Sequence, residues 1–188
     1  MNSIILASQS PRRKQLLEWA EVPFEVFISD ADESYPSHLT FNEVAVHIAK
    51  HKALVIQQKF NPQIPVLAAD TIVVCEEHIL GKPVDADDAF RMIKMLSGKT
   101  HQVITGVCVL HKGEMHAFYD ETKVQFHSLT DEQIQFYIDK YKPFDKAGAY
   151  AIQEWIGVIG IHSIEGDFYN VMGLPVSRVV KLLKELHC

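Results

Sequence analysis

The stretch Ser8-Gln9-Ser10-Pro11-Arg12-Arg13 places two hydroxyls and two guanidinium groups where a short apolar run gives way to a helix, a combination suited to holding phosphate. Ile4-Ile5-Leu6-Ala7 reads as a buried strand, Ser10 as a helix N-cap and Pro11 as the first helical residue, whose missing N–H costs nothing there. The helix then aims its free N–H groups and positive dipole end at whatever the loop holds. Arg12 and Arg13 add forked donors matched to phosphate oxygens. Taken alone, the same residues describe a solvated basic helix start, so the decision rests on their company.

Phosphate-anhydride hydrolysis needs cations for the phosphate oxygens, carboxylates for a divalent metal, and a base or metal that makes water nucleophilic. Lys52 and Lys82 join the arginines as cations, the latter in Gly81-Lys82-Pro83, where proline stiffens the loop. Glu33, in the acidic loop Asp30-Ala31-Asp32-Glu33, and Asp70 are the acids. Asp70 follows the apolar run Val66–Ala69 and precedes its continuation Thr71–Cys75, an expensive place for an idle carboxylate. Oxygen ligands of this kind suit magnesium or manganese, bound through one or two carboxylates plus the substrate's phosphates.

Other patterns imitate chemistry. Gly98-Lys99-Thr100 looks like the end of a P-loop, but Ile93 stands where that motif needs glycine, and Gly98 reads better as a helix stop. His47 and His51 have metal-clamping spacing without the glutamate or a third ligand, and read as surface or packing residues. Asp145 and Lys146 suit an ion pair or a cleft wall. The Val176, Val179, Val180, Leu183 stripe is core at helical spacing.

The elements that must position these groups alternate from end to end, which predicts an α/β fold. Strands are expected at Phe24–Ile28, Val66–Cys75, His101–Leu110 and Tyr119–Phe126, with two more around Ile156–Ile164. A helix capped by Thr40 and Glu43 carries Val44, Ile48 and Val55 on one side, together with Lys52. Ala86–Leu96, a helix opened by Thr130 and Gln133 and running to about Tyr141, and a last helix from Pro175 complete the set, with Lys112-Gly113 as a turn.

Composition limits the possibilities. The 188 residues, 47% hydrophobic and 22% charged, suit one folded domain or two lobes sharing a sheet. No apolar run approaches the roughly 18 residues of a spanning helix and no secretory signal is evident, so no membrane association and a cytoplasmic location are expected. Cys75, Cys108 and Cys188 lack zinc or disulfide spacing and read as reduced thiols. A net charge of −6 argues against sequence-blind nucleic-acid binding while leaving room for a small anion in a basic pocket.

The chain closely resembles the Maf-like nucleoside triphosphate pyrophosphatases. The likeness is carried in order by Leu6 to Arg13, Ala69-Asp70-Thr71, Gly81-Lys82-Pro83, Ser97 to His101, Asp145-Lys146-Ala147-Gly148-Ala149-Tyr150 and Gly173-Leu174-Pro175. It implies a single domain over 1–188 with an elongated mixed central sheet flanked by helices, in two lobes with an active cleft between them, the Maf/ITPase-like architecture. It implies cleavage of a nucleoside triphosphate to monophosphate and pyrophosphate with a divalent metal, a house-cleaning role, and a family that is often dimeric.

By the same resemblance Asp70 is the general base and a metal-side acid and Glu33 its metal-binding companion. Ser8, Ser10, Arg13, Lys52 and Lys82 form the triphosphate cradle. Arg12, Thr71 and Gln153 match the branch acting on dTTP and UTP. Gln153 offers a donor and an acceptor to the N–H and carbonyl edge of a pyrimidine imide, where a carboxylate would repel the carbonyls. Family glutamines are commonly flanked by glycine. Here Ala151, which disfavours positive φ, and Glu154, which adds negative charge near the base, flank Ile152-Gln153. Rival readings are a nucleotide-binding regulator of cell division without catalysis, and a pyrophosphatase of other base specificity.

Overall fold

Ile4, Ile5 and Leu6 are all buried and form β1 (Ile4–Leu6) in the computed structural model, which describes residues 3–187. Unbroken apolar runs are what parallel strands covered on both faces require. β1 pairs in parallel with β2 (Phe24–Val26) and with β3 (Val66–Cys75), in register Ile5 to Val66 and Leu6 to Leu67. β4 (His78–Leu80) turns back antiparallel onto β3. With β5 (Thr100–His111), β6 (Glu114–Phe126) and β7 (Ile161–Glu165), the order is β2-β1-β3-β5-β6-β7, with β4 on β3. The sheet is mixed, because β6 and β7 are antiparallel. Helices α1 (Pro11–Trp19), α2 (Phe41–Phe60), α3 (Ala86–Leu96), α4 (Asp131–Tyr141) and α5 (Trp155–Gly160) lie between strands, and α6 (Phe168–Met172) and α7 (Val176–Glu185) follow β7. The α/β class expected from the alternation is therefore observed.

The described residues fall into two compact units. One runs to Thr71 and adds Thr105–Asp120 and the residues from Gly173 onward; the other is Ile72–Ile104 with Glu121–Met172. In the first unit, Ala49, Ala53 and Ile56 of α2 pack against Ile5, Ala7, Val66, Ala68 and Cys108. Val44 and Ile48 are buried as their spacing predicts, but Ile56 takes the place expected for Val55, which is only partly covered. Small residues let α2 lie close to β5: a Cβ on Gly106 would stand 2.2 Å from the backbone of Ala45. This rotation leaves Lys52 at the margin of the buried stripe. On α7, Val179 and Leu183 are fully buried and Val176 and Val180 partly so.

Local signals set most boundaries. Ser10 caps α1, with Pro11 as its first residue, and Thr40 with Glu43 and Thr130 with Gln133 form complete capping boxes. Gly98 ends α3 at φ 73°, and Lys112-Gly113 turns β5 into β6 with φ 51° and 81°.

Residues 156–164 depart from expectation: in place of two strands, α5 runs to Gly160 and β7 starts at Ile161. The Ile-Gly-Val-Ile-Gly-Ile run has the β-branched composition of a strand, yet Ile156 and Gly160 are the buried pair, four apart. Gly157 is needed where the chain coils tightly, since a Cβ there would stand 1.8 Å from the carbonyl oxygen of Ile152. β2 stops at Val26, before the expected Ile28, and β6 begins at Glu114, earlier than Tyr119. β4 and α6, with three and five residues, are too short for periodicity to reveal.

Cys75 and Cys108 are free, buried thiols, and burial pushes Cys108 up to about 11, so neither is primed for reaction. Cys188 lies outside the described residues. In the second unit His101 is buried edge-on to Phe126 and Tyr150, at ring separations of 5.1 and 5.4 Å, with Nε2 2.7 Å from the Tyr150 hydroxyl. Burial lowers its pKa from 6.5 to about 4, so the ring is neutral at physiological pH. Since the unfolded chain takes this proton near pH 6.5 and the folded protein only near 4, the contribution is whole above 6.5 and is lost as pH falls. Urea unfolding at pH 7 and pH 4 should show wild type losing about 3 kcal/mol more than His101→Gln on acidification; equal losses would remove His101 from the acid sensitivity.

Candidate functional site

The end of β1 delivers Ser8 into the turn before α1. The Ser8 Oγ accepts from the Ser10 N–H at 3.2 Å and from Arg13 Nη1 at 3.0 Å, leaving its own O–H to donate. Ser10 caps the helix by accepting from the Arg13 N–H at 3.5 Å. The buried Arg13 also donates from Nε to the Gly173 carbonyl at 2.8 Å and from Nη2 to Thr71 Oγ1 at 2.9 Å. Three of its five donors are thus committed, which fixes the guanidinium plane and leaves two for another partner. Burial lowers the Arg13 pKa, opposed by the nearby charges of Asp70 and Glu33. Arg12, one residue earlier, is partly exposed.

Lys52, three turns into α2, reaches two acids at once: Nζ lies 2.6 Å from Asp70 Oδ1 and 2.6 Å from Glu33 Oε1. Asp70 is buried where β3 continues, whereas the Glu33 side chain is 53% exposed, so one carboxylate is anchored and the other faces solvent. Burial raises the Asp70 pKa, and the charges of Lys52 and Arg13 oppose that rise. The loop bearing Glu33 is pinned from the same helix. His51 donates from Nδ1 to the Asp32 carbonyl at 2.9 Å, and Asp32 accepts from the Ser34 N–H and hydroxyl at 2.9 and 2.7 Å. His51 therefore works as an anchor for this loop.

Of the residues singled out in the sequence, Ser8, Ser10, Arg13 and Thr71 form one contact network of the first unit and Glu33, Lys52 and Asp70 another, the two adjoining at the consecutive residues Asp70 and Thr71. The Thr71 hydroxyl serves Arg13 and also meets Thr105 Oγ1 at 2.9 Å and the Gly173 carbonyl at 3.4 Å. Thr105, fully buried, and the Gly173 carbonyl are site residues that sequence reasoning missed. The Gly-Leu-Pro motif was the available signal for the second; nothing marked Thr105 among the apolar residues of β5.

Lys82 and Gln153, both exposed, belong to the second unit. The Gly148 N–H bonds the Gly81 carbonyl at 3.0 Å, which ties the Lys82 loop to the segment leading to Gln153. Gly148 takes φ 68° and a Cβ there would press on Val73 at 3.0 Å. Ala149 carries positive φ, 59°, whereas Ala151 does not, so alanine at 151 imposes no backbone strain. Glu154, expected to bring charge toward a base, is held by the Tyr137 hydroxyl and lies 3.5 Å from Lys146 Nζ, which also binds Asp145 at 2.7 Å. Lys99 pairs with Glu76 at 2.8 Å on the surface of the second unit.

No group of three or more His, Cys, Asp or Glu able to hold a metal occurs among the described residues. In kind, the donors fit a hard cation completed by ligand oxygens, because Asp70 and Glu33 supply carboxylate oxygens and are brought together by their shared partner, the Lys52 ammonium. Among the described residues no helix is long and apolar enough to cross a membrane.

A family model described as Maf-like protein matches residues 3–186. A protein of Cytophaga hutchinsonii named dTTP/UTP pyrophosphatase is 47% identical over 97% of this chain and 84% of its own length. One of the same name from Porphyromonas gingivalis is 48% identical over 97% and 93%. In fold, a HAM1 protein from Coxiella burnetii aligns over 98% of this chain and 100% of its own, with a TM-score of 0.51 at 15% identity.

Lys52 and Asp70 depend on each other electrostatically. Lys52→Met should destabilise the protein by about 3 kcal/mol at pH 7, since it strands a buried carboxylate, whereas Lys52→Met with Asp70→Leu should recover most of that loss. Denaturant midpoints for the double-mutant cycle decide it; additive effects would show that the two side chains are not coupled.

Proposed function

The chain belongs to the Maf-like protein family, and from that premise we propose that it is a nucleoside triphosphate pyrophosphatase acting on dTTP and UTP. Water is added across the anhydride between the α and β phosphates; nucleoside monophosphate and pyrophosphate leave. The observation that carries this reading is the meeting of Glu33 and Asp70 on one ammonium, with Arg13 and the Ser8 hydroxyl in the same unit. The names of the relatives at 47–48% identity support the substrate class.

Asp70 is the general base. Desolvation raises its proton affinity, which favours taking a proton from the attacking water. Asp70 and Glu33 would together hold a divalent cation, magnesium or manganese, which when bound supplies charge neutralisation on the phosphate oxygens. Lys52 keeps both carboxylates in place and, with Lys82, balances charge gathering on the departing pyrophosphate. Ser8, Ser10, Arg12 and Arg13 hold the phosphate chain through hydroxyls, the helix start and fixed guanidinium donors. Thr71 holds the Arg13 fork in its plane. Gln153 reads the pyrimidine imide edge with one donor and one acceptor. The proposed setting is the cytoplasm, with a nucleoside triphosphate rather than nucleic acid or a membrane as the partner, and a homodimer as the assembly.

Pyrophosphate and monophosphate release from a panel of triphosphates, with magnesium or manganese, tests the proposal. Wild type should favour dTTP and UTP; Asp70→Asn should fold and lose roughly 10²–10⁴-fold in rate, the worth of a positioned base. Binding of triphosphates without pyrophosphate release would favour a regulator, and near-wild-type turnover by Asp70→Asn would remove Asp70 from the reaction.

A further inference from the structure

The turn that presents Gln153 is held on both sides by one hydroxyl. Tyr137 of α4 is fully buried, and its oxygen accepts from the Ala151 N–H at 3.2 Å while donating to Glu154 Oε2. Residues 151 and 154 are also joined directly, the Glu154 N–H bonding the Ala151 carbonyl at 3.1 Å, so that Ile152 and Gln153 form the tip of a closed turn. On its far side the turn continues into α5, where the Gly157 N–H bonds the Glu154 carbonyl at 2.9 Å. Ile152 is buried and Gln153 exposed, which orients the tip: one side chain anchors and the other is offered to solvent.

A long, flexible amide reads a base edge only if its backbone is already placed; otherwise each binding event bears the ordering cost. We propose that Tyr137 is a positioning residue for base selection, its hydroxyl referencing the Gln153 turn to α4 through Ala151 and Glu154. This rests on the reading of Gln153 as the base-contacting residue. Glu154 thereby acquires a role: it is the acceptor that fills the donor side of the Tyr137 hydroxyl, steadied by Lys146. With phenylalanine at 137 the buried Ala151 N–H loses its acceptor and the Glu154 carboxylate keeps only Lys146 of its two partners, while the ring and its stacking on Tyr141 at 5.1 Å persist. The turn loosens where the core does not.

Steady-state kinetics of pyrophosphate release with UTP, dTTP and dATP test this. Tyr137→Phe should raise KM for UTP and dTTP about ten-fold, the cost of ordering one or two side chains again at each encounter. Its kcat should change less than about two-fold and its KM for dATP little, because the phosphate-binding residues are untouched. Glu154→Gln, which still accepts from the hydroxyl, should remain close to wild type, and Glu154→Ala should reproduce the KM rise. Should Tyr137→Phe fail to fold in a thermal melt, the comparison of Glu154→Ala with Glu154→Gln decides alone. An unchanged KM for UTP in Tyr137→Phe or Glu154→Ala, or an equal rise for dATP, overturns the proposal. Gln153→Glu separates the two layers: if it keeps full pyrimidine preference, the base-contact reading fails; if it loses the preference while Tyr137→Phe retains it, only the positioning role fails.

Discussion

Removing the Asp70 carboxylate from water is costly, and the Lys52 ammonium at 2.6 Å is what makes it sustainable. Much of the first unit follows from that requirement. α2 must be rotated so that Lys52 sits at the margin of its buried stripe, and the approach of that helix to β5 depends on the bare backbone of Gly106. The same ammonium gathers Glu33 from a solvent-facing loop, converting two distant segments of sequence into one acidic pair. The residual pull of burial leaves Asp70 a better proton acceptor than an exposed aspartate.

Around that pair the charges are nearly balanced before any substrate arrives: Lys52 and Arg13 face Asp70 and Glu33. A polyanion entering such a place gains from the fixed donors at the start of α1 and meets repulsion from two acids unless a further cation intervenes. Arg13, three donors committed and its plane set by Ser8, Thr71 and Gly173, loses little freedom on engaging a ligand.

The sequence revealed those parts of the molecule whose signals are local. Ser10-Pro11, the two capping boxes, Gly98 and Lys112-Gly113 each specify a boundary by their own backbone chemistry, and the structure has each where it was read. The acid in mid-strand announced Asp70 because an apolar run does not carry a carboxylate without a partner. What stayed hidden depends on rotation or distance. Val55 and Ile56 differ by one position, which periodicity cannot resolve on a helix with so broad a buried face. The Ile-Gly-Val-Ile-Gly-Ile run has the composition of a strand, and the approach of Gly157 to the Ile152 carbonyl, which leaves no room for a side chain at 157, belongs to the folded helix and not to the pattern of residues. His51, Thr105 and Tyr137 acquire their parts from neighbours 19, 34 and 14 residues away, so no short motif contains them.

The bond from Arg13 to the Gly173 carbonyl spans 160 residues. During synthesis β1, its turn and α1 leave the ribosome long before residue 173 does, so the Arg13 guanidinium cannot reach that carbonyl until about 160 further residues have emerged. Contacts of such separation slow folding. They also act as a safeguard: a chain released before residue 173 carries the Ser8–Arg13 turn without the carbonyl that trues its guanidinium.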